Sequence, residues 1–115
     1  MFYALINQKG ITVHCAEKPL VIEQMQSLVG IEGEEAYIEV ASYRSYSDPL
    51  IVMICDDEFL RKSCQPTCIT AEGAVIHGQV LVLAIDRATE DFGLLTKQQV
   101  EVVKRETKLY QVHSR

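Results

Sequence analysis

The chain has 115 residues, a length that suits one domain and leaves no room for a second core. Hydrophobic residues make up 48% of it and charged residues 23%, a balance that excludes an intrinsically disordered chain. The net charge of −5 also argues against non-specific binding to nucleic acids or acidic lipids, because their phosphate groups repel an acidic surface. We expect a single domain over residues 1–115, with its last few residues frayed.

The N-terminal segment has no features of an export signal. Its apolar run, Phe2–Ile6, has five residues and follows no basic segment. The longest apolar stretches elsewhere have six residues, far below the ~20 that a membrane-spanning helix needs. Four cysteines in a chain without an export signal are expected to be reduced thiols. The sequence therefore predicts a cytoplasmic protein that does not bind membranes.

The first elements in chain order are two strands. Phe2–Asn7 is apolar, and residues 8–10 (Gln-Lys-Gly) are typical of a turn. In the run Ile11–Ala16, apolar and polar residues alternate as in a half-buried strand. The pair predicts an opening β-hairpin.

A helix is predicted next, beginning near Pro19 and ending before Gly30. Four apolar residues in this segment are spaced i, i+4, i+7 and i+8, which places them in one stripe along a helix: Val21, Met25, Leu28 and Val29. Gly30 follows the stripe as a natural C′ residue, the position where helices often end in the left-handed conformation.

Three further strands are predicted after a short polar loop at residues 32–35. Ala36–Ala41 alternates, whereas Leu50–Cys55 is apolar at every position and is predicted to be a central strand covered on both faces. Val80–Ile85 is similarly apolar, and Gly78 before it marks a bend or bulge. The residues between Cys55 and the bend are predicted to be irregular.

The last element is a second helix, predicted over Lys97–Tyr110. Thr96 and Gln99 have the spacing of a capping box, in which each side chain accepts a hydrogen bond from the other's backbone N–H. Leu95 and Val100 stand where a hydrophobic staple would form. The resulting order, ββαβββα, predicts an α+β domain with an antiparallel or mixed sheet of about five strands and both helices on one face.

Five short motifs follow one another between roughly residues 20 and 105: Leu28-Val29-Gly30, Tyr37-Ile38-Glu39-Val40, Ile51 to Glu58, Gly73 to Gly78 and Asp91 to Thr96. In this order they resemble a family of small uncharacterised proteins encoded by phages, plasmids and conjugative elements of bacteria. The chain departs from the family's pattern between Leu60 and Thr70. The resemblance implies a fold and a mobile-element setting, and it implies no catalytic residue.

Three cysteines form the most suggestive cluster of metal-binding residue types. Cys64 and Cys68 have the close spacing of one ligand pair of a structural zinc site, and Cys55 precedes them by nine residues. The sequence contains no second pair of ligands at the spacing that a zinc site needs, so free thiols are the simpler interpretation. The alternative function is a metal-binding or thiol redox-responsive domain that uses Cys64 and Cys68.

A second cluster combines aromatic residues with a positive charge: Tyr37, Tyr43, Arg44 and Tyr46. Tyrosine and arginine are enriched at protein interfaces and also stack on bases, and a chain with no basic stripe favours the protein contact. Tyrosines that simply pack under a loop are an equal alternative. We take Tyr43, Arg44 and Tyr46 as the candidate partner-binding site.

No arrangement of residues predicts catalysis. Asp56-Asp57-Glu58 is typical of a turn after a strand, and His77 has no evident catalytic partner. Nucleotide-binding and hydrolase motifs are absent from the sequence. We therefore expect a non-enzymatic accessory domain, without a cofactor, that acts through a protein partner or by self-association.

Overall fold

Two apolar strands form the middle of the main sheet in the computed structural model, which describes residues 1–31 and 36–111. The elements in chain order are β1 (Phe2–Asn7), β2 (Gly10–Cys15), α1 (Ile22–Val29), β3 (Ile38–Ser42), β4 (Ile51–Asp56), β5 (Pro66–Ile69), β6 (Val75–His77), β7 (Val80–Ile85), β8 (Phe92–Gly93), α2 (Lys97–Glu106) and β9 (Lys108–Leu109). The main sheet has the order β2-β1-β7-β4-β3, and β8 also pairs with β7. Its pairings are antiparallel, and the fold is α+β as the sequence predicts.

The opening hairpin and the fully covered strand are confirmed. Strands β1 and β2 pair without interruption from Phe2 opposite Cys15 to Asn7 opposite Gly10. The predicted strand Leu50–Cys55 is observed one residue later, as Ile51–Asp56, and all six residues of this strand, β4, are buried; β7 is buried over its first five residues. An apolar strand of this kind is stable only where other elements cover both of its faces.

One face of the main sheet packs against α1. Met25 and Val29 of this helix join Leu81 and Leu83 of β7 in one core cluster. Val21, the first residue of the predicted stripe, is 55% exposed, because α1 begins after it and not near Pro19.

The opposite face packs against α2 and a second, smaller sheet. Val100 and Val103 of α2 share a core cluster with Val80 and Val82, which alternate along β7 with the residues facing α1. The two helices therefore lie on opposite faces of the sheet, and the prediction that both lie on one face is wrong. Periodicity within each helix does not say which face of a doubly covered sheet the helix will occupy.

The smaller sheet has three strands in the order β6-β5-β9 and was not predicted. The side chains of Cys68 in β5 and Ile76 in β6 are buried in the core cluster that also contains the apolar residues of α2. The prediction of about five strands in the order ββαβββα is wrong, since the described residues contain nine strands. The missed strands have two to four residues, too few for an alternating pattern to be recognised.

Both helices end differently from the predictions. Gly30 closes α1 with a φ of −80°, which is not left-handed, and its N–H donates to the Gln26 carbonyl at 2.9 Å. Helix α2 ends at Glu106, before the predicted Tyr110, because Thr107 is extended and the next two residues pair with β5.

The capping box that begins α2 is confirmed. The Thr96 hydroxyl accepts from the Gln99 N–H at 3.1 Å, and the Gln99 side chain accepts from the Thr96 N–H at 2.9 Å. Neither helix of the described residues has the length and apolar character needed to cross a membrane. The predicted polar loop at 32–35 and the predicted fraying of the last residues lie outside the described residues.

Candidate functional site

The loop between β3 and β4 carries the three residues predicted to bind a partner, and hydrogen bonds anchor it to α2. The Ser47 N–H and hydroxyl both donate to the Glu106 carboxylate, at 2.7 and 2.6 Å. The Gln99 amide donates to Asp48 at 3.1 Å. At the start of the loop, the Ser42 and Ser45 hydroxyls are 2.6 Å apart. The loop is therefore held at both of its ends.

Tyr46 lies inside the core and is only 7% exposed. The Thr107 hydroxyl already donates to the Val103 carbonyl at 2.6 Å, so the Tyr46 hydroxyl is the donor in its 2.7 Å hydrogen bond with Thr107. Burial raises the pKa of Tyr46 above its ordinary value. This side chain fastens the loop to the end of α2.

Tyr43 and Arg44, in contrast, face solvent. Tyr43 is 59% exposed, and Arg44 is exposed beside it. Only these two of the three predicted residues have side chains that a partner can reach in this conformation. Whether each of these side chains is buried or exposed depends on its orientation in a polar loop. The loop has no alternation of apolar and polar residues from which this orientation could be predicted.

The turn between β7 and β8 lies next to Tyr43. The Asp86 N–H donates to the Asp91 carbonyl at 2.8 Å, and the Glu90 N–H donates to the Asp86 carbonyl at 2.7 Å. Glu90 has a φ of 62°, a left-handed conformation that is uncommon for a residue with a side chain. This compact turn places Glu90, Asp91 and Phe92 against Tyr43, and together they line a depression of about 430 Å³.

A second depression, of about 480 Å³, continues on the other side of the same turn. Asp91 and Phe92 line both depressions, and Ile22 at the start of α1 lines the second. Ile22 is 50% exposed, which is unusual for an isoleucine. We define the Tyr43 surface as Ile22, Tyr43, Glu90, Asp91 and Phe92. It combines apolar and aromatic side chains with carboxylates.

The charged side chains that line these two depressions are all acidic: Asp86, Glu90 and Asp91. Arg44 follows Tyr43 in the chain and Arg87 follows Asp86, but neither arginine lines either depression. Sequence analysis missed the acidic residues and Ile22, because acids in a turn and an apolar residue at the start of a helix are both ordinary features. The pairing of β8 with β7 forms the turn that carries these acidic residues, and its position beside Tyr43 is a feature of the tertiary structure.

The cysteines of the alternative prediction occupy different environments. Cys55 and Cys68 lie in the same core cluster, where burial raises the pKa of Cys55 to about 12 and that of Cys68 to about 11. Cys64 is half-buried, with its side chain close to Gly78. Metal binding and thiol exchange both use thiolates, and burial disfavours the thiolate form of Cys55 and Cys68. Among residues 1–31 and 36–111, no group of His, Cys, Asp and Glu residues is arranged to hold a metal ion.

The acidic run after β4 has a structural role in the fold. Asp56 Oδ2 is 2.6 Å from Lys62 Nζ, and the two side chains are only 4% and 8% exposed. Asp56 Oδ1 also accepts from the Glu58 N–H at 3.0 Å. The sequence did not suggest this buried ion pair, because Asp56 and Lys62 are joined by a turn, and a turn has no hydrophobic period from which their contact could be predicted.

One helical turn connects the two members of this pair. It ends at Ser63, whose φ is 56° and whose N–H donates to the Leu60 carbonyl at 3.1 Å. The Cys64 N–H donates to the Phe59 carbonyl at 3.1 Å, which completes the hydrogen-bond pattern of a Schellman motif. Serine stands here at the position where glycine is most common.

The two histidines of the described residues pack against aromatic rings. His77 lies 5.3 Å from Phe59 between ring centroids, and its Nδ1 donates to the Cys64 carbonyl at 2.8 Å. His14 stacks on Tyr3 at 5.0 Å. These contacts suit structural side chains, and neither histidine has a carboxylate within the contacts described.

A family model described as Domain of unknown function (DUF3846) matches residues 3–110. The chain belongs to this family. No curated protein and no solved structure matches the DUF3846 chain. The match covers the whole main sheet beyond its first residues, both helices and the Tyr43 surface.

Proposed function

We propose that this DUF3846 domain is a non-enzymatic accessory domain that binds a protein partner through the Tyr43 surface. The proposal includes the cytoplasmic location and the phage or mobile-element setting that the sequence suggested. One observation carries it: two adjoining depressions join exposed Tyr43 and Ile22 across a turn whose charged lining residues are acidic.

This combination favours a peptide segment over a nucleic acid. Exposed aromatic and aliphatic side chains supply apolar contact area, and tyrosine is among the residues that contribute most to interface energy. Asp86, Glu90 and Asp91 would repel phosphate groups and attract lysine or arginine. The partner segment expected here presents an apolar side chain flanked by basic residues.

The anchoring of the surface also supports a binding role. Tyr43 stands on a loop held by Tyr46 and Ser47, and Glu90 stands on a hydrogen-bonded hairpin turn. A surface that is already ordered loses little conformational entropy when a partner binds. The two walls of the first depression therefore need no rearrangement to receive a side chain.

The test uses a random peptide library as the probe. Peptides selected on the wild-type protein should be rich in lysine or arginine next to an apolar residue. Tyr43→Ala should weaken their binding by about 2 kcal/mol, or roughly thirtyfold in Kd. Glu90→Lys should weaken it as well, and more strongly at low salt.

Leu60→Ala is the matched control, because Leu60 is 68% exposed and lies outside the Tyr43 surface. It should leave peptide binding unchanged, and thermal denaturation should show that all three variants fold. The proposal fails if the library yields no binding peptides, or if Tyr43→Ala binds the selected peptides as tightly as the wild type.

A further inference from the structure

Strand β2 forms one edge of the main sheet and has none of the usual protections of an edge. Its six residues, Gly10–Cys15, include no proline and no Asp, Glu, Lys or Arg. Its ladder with β1 has no register shift, whereas the opposite edge strand, β3, has one between Val40 and Ser42. Charges, prolines and bulges are the devices that keep sheet edges from pairing with other chains.

The hydrogen bonds just before the start of β1 show which backbone groups of β2 point away from β1. Met1 and Ala16 exchange two hydrogen bonds of 2.9 Å, so they are a hydrogen-bonded pair. In an antiparallel ladder such pairs alternate with pairs that are not hydrogen-bonded. The N–H and C=O groups of Ile11, Val13 and Cys15 therefore point away from β1. No other strand of the described chain pairs with them.

The charges that flank β2 match each other when the strand meets a copy of itself. If two β2 strands pair antiparallel about a two-fold axis at Val13, Ile11 of one copy faces Cys15 of the other. Lys9 stands in the turn before β2 and Glu17 in the bend after it, and both are exposed, so antiparallel pairing brings Lys9 of one copy to the same end of the dimer as Glu17 of the other. Moving the axis by one residue, to Thr12 or His14, would pair only two of the three outward-pointing residues within β2.

We infer that two copies of this chain form a dimer through β2, with Val13 on the two-fold axis. The three outward-pointing residues of each strand supply about six interchain hydrogen bonds, two for each pair. An ion pair between Lys9 of one copy and Glu17 of the other closes each end, and the pairing of all three outward-pointing residues sets the register. Tyr43 follows β3 at the opposite edge of the sheet, so the dimer leaves the Tyr43 surface accessible and does not depend on the proposed function.

A charge swap tests the inference by sedimentation velocity over a concentration series at low salt. The wild type should dimerise, and Lys9→Glu or Glu17→Lys should raise the dimer Kd about tenfold, because two weak exposed pairs per dimer become repulsive. The double variant Lys9→Glu/Glu17→Lys should restore wild-type dimerisation, since the pairs are re-formed with reversed sign.

Arg61→Glu is the matched control. It makes the same change of charge at a side chain that is 80% exposed and stands in the turn after β4, which β1 and β7 separate from β2. Its dimer Kd should stay within about twofold of the wild type. A protein that is monomeric at every concentration overturns the inference, and so does an equal effect of Lys9→Glu and Arg61→Glu or a double variant that is not restored.

Discussion

Replacing Lys62 with methionine should be one of the most destabilising changes outside the apolar core. Lys62 Nζ lies 2.6 Å from Asp56 Oδ2, and the two side chains are 8% and 4% exposed. Methionine leaves the Asp56 carboxylate buried without its cation, and breaking a buried pair in this way costs about 3–5 kcal/mol. An ordinary domain has only ~5–15 kcal/mol of stability, so the loss should be easy to measure.

Urea unfolding near neutral pH, followed by circular dichroism, measures this loss against a matched control. Arg61→Met removes one positive charge from the neighbouring position, where the side chain is 80% exposed and 3.0 Å from Glu58. That exposed pair should contribute less than about 1 kcal/mol. If Lys62→Met costs no more than Arg61→Met, then the Lys62–Asp56 pair does not stabilise the fold as the structure implies.

The pH dependence gives an independent check on the same pair. Burial raises the pKa of Asp56, but hydrogen bonds from Lys62 and from the Glu58 and Tyr37 backbone outweigh burial, so the folded-state pKa lies below its ordinary value. The resulting stability is present above the unfolded-state pKa of about 3.9 and is lost as the pH falls through the lowered folded-state value.

Without Lys62, burial is opposed by fewer hydrogen bonds and the pKa of Asp56 moves upward. Lys62→Met should therefore lose less stability on acidification than the wild type does. The difference between the two proteins should shrink below about pH 4. A difference that stays constant from neutral to acidic pH would contradict the assignment of the effect to Asp56.

Two further substitutions test local geometry by thermal denaturation. Ser63→Gly should stabilise the fold by about 0.5 kcal/mol, because Ser63 has a φ of 56°, which glycine adopts without strain. This net value allows for the greater conformational entropy of glycine in the unfolded chain, which opposes the gain. A lower melting temperature would argue against this backbone conformation. Tyr46→Phe should cost about 1 kcal/mol, since it removes the donor of the 2.7 Å hydrogen bond to Thr107. An unchanged melting temperature would indicate that this bond does not hold the loop.

The features that the sequence predicted correctly are those in which neighbouring residues determine the structure. The capping box needs only Thr96 and Gln99 at a separation of three, and the hairpin needs only two short runs around a turn. The burial of Ile51 to Cys55 in β4 was also predictable, because a run of consecutive apolar residues can be satisfied only by cover on both faces.

The end of α2 shows where local reasoning failed. The predicted helix continues to Tyr110, but the chain leaves the helix at Thr107. Lys108 and Leu109 pair instead with β5, and the Tyr110 N–H donates to Thr67 at 3.0 Å. Hydrogen bonds to a distant strand replace the last helical turn, and a pattern within the helix cannot anticipate them.

The candidate site also combines features that the sequence predicts with features that only the tertiary structure determines. The sequence alone singled out Tyr43, Arg44 and Tyr46 as candidates by residue type, and it determined the α+β class, the opening hairpin and the start of α2. Only the tertiary structure placed Tyr46 in the core, put the helices on opposite faces and brought the β7–β8 turn against Tyr43. Those outcomes depend on contacts between residues far apart in the chain, whereas capping, turn and alternation patterns report only on residues close together.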